Sequence, residues 1–157
     1  MEPLVVTPRL EVPLRFAAGV VAGVLATLGM DLVMRRLPEG LTPPRVASGV
    51  LTERPPGDAP GRLATVVHYL AGMLTGPLFV WLLLASEGIL GTQSLLTALA
   101  AGVVLYLLMV GFFAVVVLPQ SEVEPDRVPT IRRDWAVSAA AYLVVLVPVV
   151  ALASRLL

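Results

Sequence analysis

Four stretches of the chain are apolar almost without interruption, each close to the ~20 residues that a helix needs to cross the hydrocarbon core of a bilayer. They cover residues 16–34, 63–85, 95–118 and 135–156. None shows the period-2 alternation of a membrane β-strand. The pattern therefore predicts an all-α fold, an integral membrane four-helix bundle forming a single membrane domain over residues 1–157. Arg9 and Arg15 precede the first stretch, as basic residues precede a secretion signal. The apolar run is longer than the usual ~7–15 residues of such a signal, and no A-x-A site follows it. Asp31 to Arg36 reads instead as a span arriving at an aqueous face.

The polar segments between the spans suggest an orientation. Four crossings put both termini and the Ser86–Ser94 connection on one side, with Arg9, Arg15 and Arg155. The other side holds Arg35, Arg36, Arg45, Arg54, Arg62, Arg127, Arg132 and Arg133. An excess of arginine marks the cytoplasmic side, so the loops are expected in the cytoplasm and both termini outside, in the inner membrane of a prokaryotic cell. Trp81 and Trp135 fall near span ends, where indole rings anchor at the interface. The connection from Leu37 to Gly61 is rich in Pro and Gly. Thr42 followed by Pro43 is a helix-start signal, and Val46, Val50 and Leu51 would share one face. One short interfacial helix in this first cytoplasmic loop is one reading, and an extended loop is the other.

Small residues recur at helical spacing within the spans. Gly19 and Gly23 continue at the same interval into Thr27 and Asp31, beside a stripe of Ala18, Ala22 and Ala26. The second span repeats the device with Ala64, His68, Gly72 and Gly76. Ala98 and Gly102 serve the third span, Ala136 and Ala140 the fourth. Because lipid offers little hydrophobic drive between helices, such stripes mark close packing, either within one chain or between copies. Pro77 and Pro148 each remove a backbone hydrogen bond inside a span, giving a kink or a hinge. The segment Ala17–Val21 recurs as Ala100–Val104, and the two prolines hold similar places in their spans, which hints at an internal duplication.

Composition narrows the chemistry. The chain is 57% hydrophobic and 14% charged with no net charge, which leaves no electrostatic case for nucleic acid. It lacks Cys, Asn and Lys, so thiolate metal sites, cysteine nucleophiles, N-glycosylation and lysine Schiff bases are excluded. Zinc-protease, nucleophile-elbow and phosphate-loop motifs are missing. No catalytic residue, metal or cofactor is assigned, and a non-enzymatic protein is expected. Glu87, Glu122, Glu124 and Asp126 read as solvated faces.

The ionisable and polar groups inside the spans remain, and these default to function because they are costly in lipid. Asp31 and His68 lie on the small-residue faces near the cytoplasmic end, and Ser138 and Tyr142 share that half, with Thr27 and Thr65 nearby. One reading is an Asp31–His68 pair that exchanges a proton or cation near neutral pH. In the other, Asp31 pairs with Arg35 one turn on and His68 merely donates to a carbonyl or hydroxyl.

The run Ala18-Gly19-Val20-Val21-Ala22-Gly23-Val24-Leu25-Ala26-Thr27-Leu28-Gly29-Met30, followed by His68-x-x-x-Gly72-x-x-x-Gly76, resembles small uncharacterised four-span membrane proteins of bacteria and archaea. The likeness covers the first half of the chain, departs from their pattern at Pro77, and implies a fold without an activity. Two functions are carried forward. The first is a structural or accessory bundle component held by the lipid bilayer, with a homo-oligomer or another membrane protein as partner through the Gly19–Gly23 face. The alternative is a small proton- or cation-coupled transporter using Asp31 and His68.

Overall fold

The computed structural model describes residues 11–156, which are helical apart from short connections, with no strand among the described residues. The helices are α1 (Glu11–Met34), α2 (Thr42–Thr52), α3 (Gly61–Leu90), α4 (Leu95–Phe112) and α5 (Val128–Leu156). A π-helical turn, Phe113–Val117, and a 3-10 turn, Leu118–Gln120, prolong α4. Four of these, α1, α3, prolonged α4 and α5, are long and apolar enough to cross a membrane. Arg9, counted above on the terminal side, lies outside the described residues.

The long helices outrun their apolar windows. α3 continues to Leu90 and stops at Gly91, whose φ of 65° lets its N–H reach Glu87 O at 2.9 Å. The connection expected over residues 86–94 thus shrinks to 91–94, where Ser94 caps α4 by accepting from Thr97 N–H at 3.1 Å. α5 starts at Val128 rather than residue 135. These extra turns carry Glu87, Arg132, Arg133 and Asp134, which a hydropathy window rejects but which find partners in the fold.

Around the bundle, α1 packs between α3 and α5, and α4 closes the ring opposite α1, against the same two neighbours. Large apolar side chains lie on both sides: Phe79, Leu105 and Leu146 fill the core, but many others face outward. Ala22, Ala26, Gly19, Gly23, Thr27 and Ser138 are buried, whereas Val21, Leu32, Leu107 and Val144 are 57–73% exposed. Small residues at the crossings with an outer surface rich in Leu and Val are compatible with packing in lipid.

The α1–α3 crossing shows this most sharply. The two helices run antiparallel, so their four-residue ladders face each other. A Cβ on Gly23 would stand 2.7 Å from Gly72 O, and one on Gly19 would stand 3.0 Å from Gly76 O. One on Gly76 would overlap the Gly19 carbonyl, and one on Gly72 the Thr27 side chain. Backbone touches backbone here, and only glycine leaves room. The α4–α5 contact is looser: Gly102 faces the Val147 side chain. On α5 the buried line is Ile131, Asp134, Ser138, Tyr142, Leu146 and Val150. The alanine stripe expected there is not the packing face: Ala140 is exposed and Ala136 half-buried, because the buried face of α5 is turned toward Ser138, Ala139 and Tyr142.

The helix in the first loop forms and lies across the loop end of the bundle, against α3, α5 and the turns after α4. Leu41 rather than Thr42 occupies its N-cap, and the Thr42 hydroxyl donates to the Glu39 carboxylate. Val46 is fully buried with Phe113, Leu118 and Ile131. Leu51, expected beside it, is 64% exposed. Neighbours above cover only a narrow strip of so short a helix.

Candidate functional site

The register that joins the glycines also determines what meets beyond them. One turn past Thr27 on α1 comes Asp31, and one turn before Gly72 on α3 comes His68. The close crossing brings them together, with His68 Nε2 2.7 Å from Asp31 Oδ1 and both side chains 12% exposed. The second carboxylate oxygen, Oδ2, accepts from the Tyr69 hydroxyl at 2.5 Å. His68 and Tyr69 stand about 100° apart on α3, so they grip the carboxylate from its two sides. Their rings meet edge to face with centroids 5.4 Å apart. Asp31 does not take Arg35 as its partner: only a backbone bond, Arg35 N–H to Asp31 O at 3.2 Å, joins them. With a carboxylate on Nε2, the imidazole donates from Nε2, and Nδ1 has no hydrogen-bond partner among the described residues.

Ser138 and Tyr142 do not join this cluster. The Ser138 hydroxyl turns back on its own helix and donates to Asp134 O at 2.7 Å. Tyr142 crosses to α3 but donates to Gly72 O at 2.6 Å. Thr65 is exposed and bonds Gly61 O at 3.1 Å. Of the four candidates, Asp31 and His68 pair and take Tyr69 as a third member, Tyr142 shares only the wall of a cavity with His68 and Thr27, and Ser138 stays apart. Hydroxyls in helices readily find a carbonyl one turn back, and that local bond wins for Ser138. No periodicity argument singles out Tyr69, since it neighbours His68 and would be placed on a different face.

Beside the cluster is a cavity of about 580 Å³ between α3, α4 and α5, with Pro43, Pro44 and Ala47 of α2 across its loop end. His68, Thr27, Thr75 and Tyr142 are its polar wall residues, and the remainder is apolar. The π-helical turn helps shape it. Phe113 lines the cavity and packs on Trp135 at 4.9 Å. The Trp135 indole N–H donates to Met109 O at 3.1 Å, so this ring ties α5 to α4 instead of projecting outward as an interfacial anchor.

Two further polar groups pin the ends. At the terminal end, Arg15 and Glu87 pair at 2.8 Å with side chains 8% and 12% exposed, so Glu87 is not a solvated face. At the loop end, fully buried Asp134 accepts the Glu39 backbone N–H at 2.7 Å and the Arg133 guanidinium at 2.8 Å. The Glu39 carboxylate receives Arg127 through two bonds, 2.8 and 2.9 Å. Those bonds, helped by Thr42 and opposed by partial burial, hold Glu39 below its ordinary 4.5 and push Arg127 upward. Glu124 is also lowered, first by its own backbone N–H and then by Arg127.

No protein-family model, curated protein or solved structure matches this chain. The chemistry of the site must carry the functional argument alone.

Proposed function

We propose that this chain is a multi-pass protein of the prokaryotic inner membrane whose Asp31–His68 pair takes up and releases protons, as part of a small proton-coupled transporter. The observation that carries the reading is the 2.7 Å contact between a carboxylate and an imidazole in an otherwise apolar bundle. A hydrogen-bonded Asp–His pair inside a span is a common form of proton relay. Among the described residues no three His, Asp or Glu side chains group to hold a metal ion, which favours a proton over a divalent cation. The arginine-rich loops support an orientation with the pair near the cytoplasm and both termini outside. The role is non-enzymatic in this reading.

The test is proton flux into proteoliposomes under an imposed potential, followed with an internal pH dye. Wild type is expected to conduct, and His68→Ala and Asp31→Asn to fall to the protein-free background. Wild type at background overturns the proposal.

A second reading, a structural or accessory bundle, is favoured by the glycine contact of α1 with α3. Because α3 covers Gly19 and Gly23, a second copy or a membrane-protein partner would meet the exposed Leu and Val faces instead.

A further inference from the structure

The cavity beside His68 has a chemistry that the proton reading leaves unused. Its outer wall includes Leu74 and Leu78 of α3 and Leu108 and Phe112 of α4, which are 43–61% exposed. It therefore opens sideways through the outward apolar surface, while α2 crosses its loop end. No Arg, Asp or Glu lines it, so a charged head group would have no counter-ion. Its hydroxyl protons are already committed: Thr27 donates to Gly23 O, Thr75 to Ala71 O and Tyr142 to Gly72 O. When the ring is neutral, His68 gives its Nε2 proton to Asp31 and Nδ1 is an acceptor. The wall thus offers hydrogen-bond acceptors without a free donor. A volume of about 580 Å³ lies within the usual range for a small-molecule site.

We propose that this cavity binds an uncharged lipid alcohol, its hydrocarbon chain between α3 and α4 and its hydroxyl donating to His68 Nδ1. A neutral donor head matches a wall of acceptors, an apolar body matches the leucine-lined mouth, and the lateral opening gives entry from the bilayer. Binding requires the neutral ring alone and does not depend on proton transport.

The chain has two tryptophans, and of these Trp135 lines the cavity while Trp81 is 59% exposed. Trp81→Phe therefore leaves a cavity reporter. This protein, in proteoliposomes, is titrated with a long-chain ω-bromoalcohol and with its methyl ether, and quenching of Trp135 is followed. The alcohol is expected to quench saturably, with the ether about fivefold weaker for want of one neutral hydrogen bond. His68→Ala should bring the alcohol to the level of the ether. Thr75→Phe and the milder Ala71→Leu should each remove or strongly weaken saturation. Asp31→Asn separates this proposal from proton handling: the Asn carbonyl still accepts from Nε2, so flux is lost while alcohol quenching persists. Equal curves for alcohol and ether in wild type overturn the head-group assignment. Quenching that stays linear, or that neither filling variant alters, overturns the cavity as the site.

Discussion

The first long helix pair, α1 with α3, and the second, α4 with α5, are built differently. If Gly19 is aligned with Gly102 and Pro77 with Pro148, as the repeated Ala-Ala-Gly-Val-Val segment suggests, Val147 takes the place of Gly76. In the fold Gly19 does meet Gly76, and Gly102 does meet Val147. The same alignment puts Ala114 in the place of Asp31 and Ala139 in that of His68. One pair has glycines in backbone contact and a polar cluster one turn beyond. The other has a valine spacer and no ionisable pair, and its α4 borders the cavity. One substitution of Gly by Val at a crossing thus separates a tight joint from a loose one. Close approach is also what brings Asp31 within reach of His68, so packing and chemistry are coupled in the first pair.

That comparison can be broken most forcefully at Gly76. Gly76→Ala should force α1 from α3 and cost roughly 3 kcal/mol or more, the upper range for overpacking. Unfolding in detergent followed by circular dichroism would register it, and an unchanged midpoint would refute the backbone contact. Asp31→Ala is expected to cost about 2–3 kcal/mol by stranding His68 and Tyr69, with loss of Tyr69 protection in the ultraviolet difference spectrum as a second readout.

Glu39→Gln should cost about 1 kcal/mol near pH 7, since Arg127 is partly exposed and the pair is screened. Glu39 sits below 4.5 when folded, so its contribution is complete above that pH and fades as the pH falls through the folded value. Midpoints of wild type and variant should therefore converge in acid; a gap that widens would reverse the sign. The smallest effects sharpen the contrast within the second pair. Gly102→Ala meets a movable Val147 methyl at 3.0 Å and should cost about 1 kcal/mol or less. Gly111→Ala meets nothing within 4 Å and should stabilise by roughly 0.5–1 kcal/mol through helix propensity. A Gly102 effect as large as that of Gly76 would erase the distinction.

Much of this was legible beforehand because four long apolar helices with small residues at their crossings write their packing into the sequence. The glycine ladders of the first two spans named the faces that meet, and their antiparallel course put Asp31 opposite His68. What stayed hidden depends on interhelical rotation, which no single helix encodes. Tyr69 reaches Asp31 only because α1 lies over the groove between two successive side chains of α3. Tyr142 is satisfied by Gly72 O, and Ser138 by its own helix, choices invisible to spacing. Glu87 and Asp134 were obscured for another reason. Charges at span ends look solvated in sequence, and only the fold reveals the buried partners that let helices extend beyond their greasy middles.

The Arg15–Glu87 bridge sits at the opposite extremity of α1 from Asp31, and both tie that helix to α3. Riveted at its two tips and pressed flat between them, α1 is held to its mate along its whole length. The two helices thus form one unit, against which α4 leans through side chains alone, its wider turn at Phe113 fitting it around the Trp135 ring.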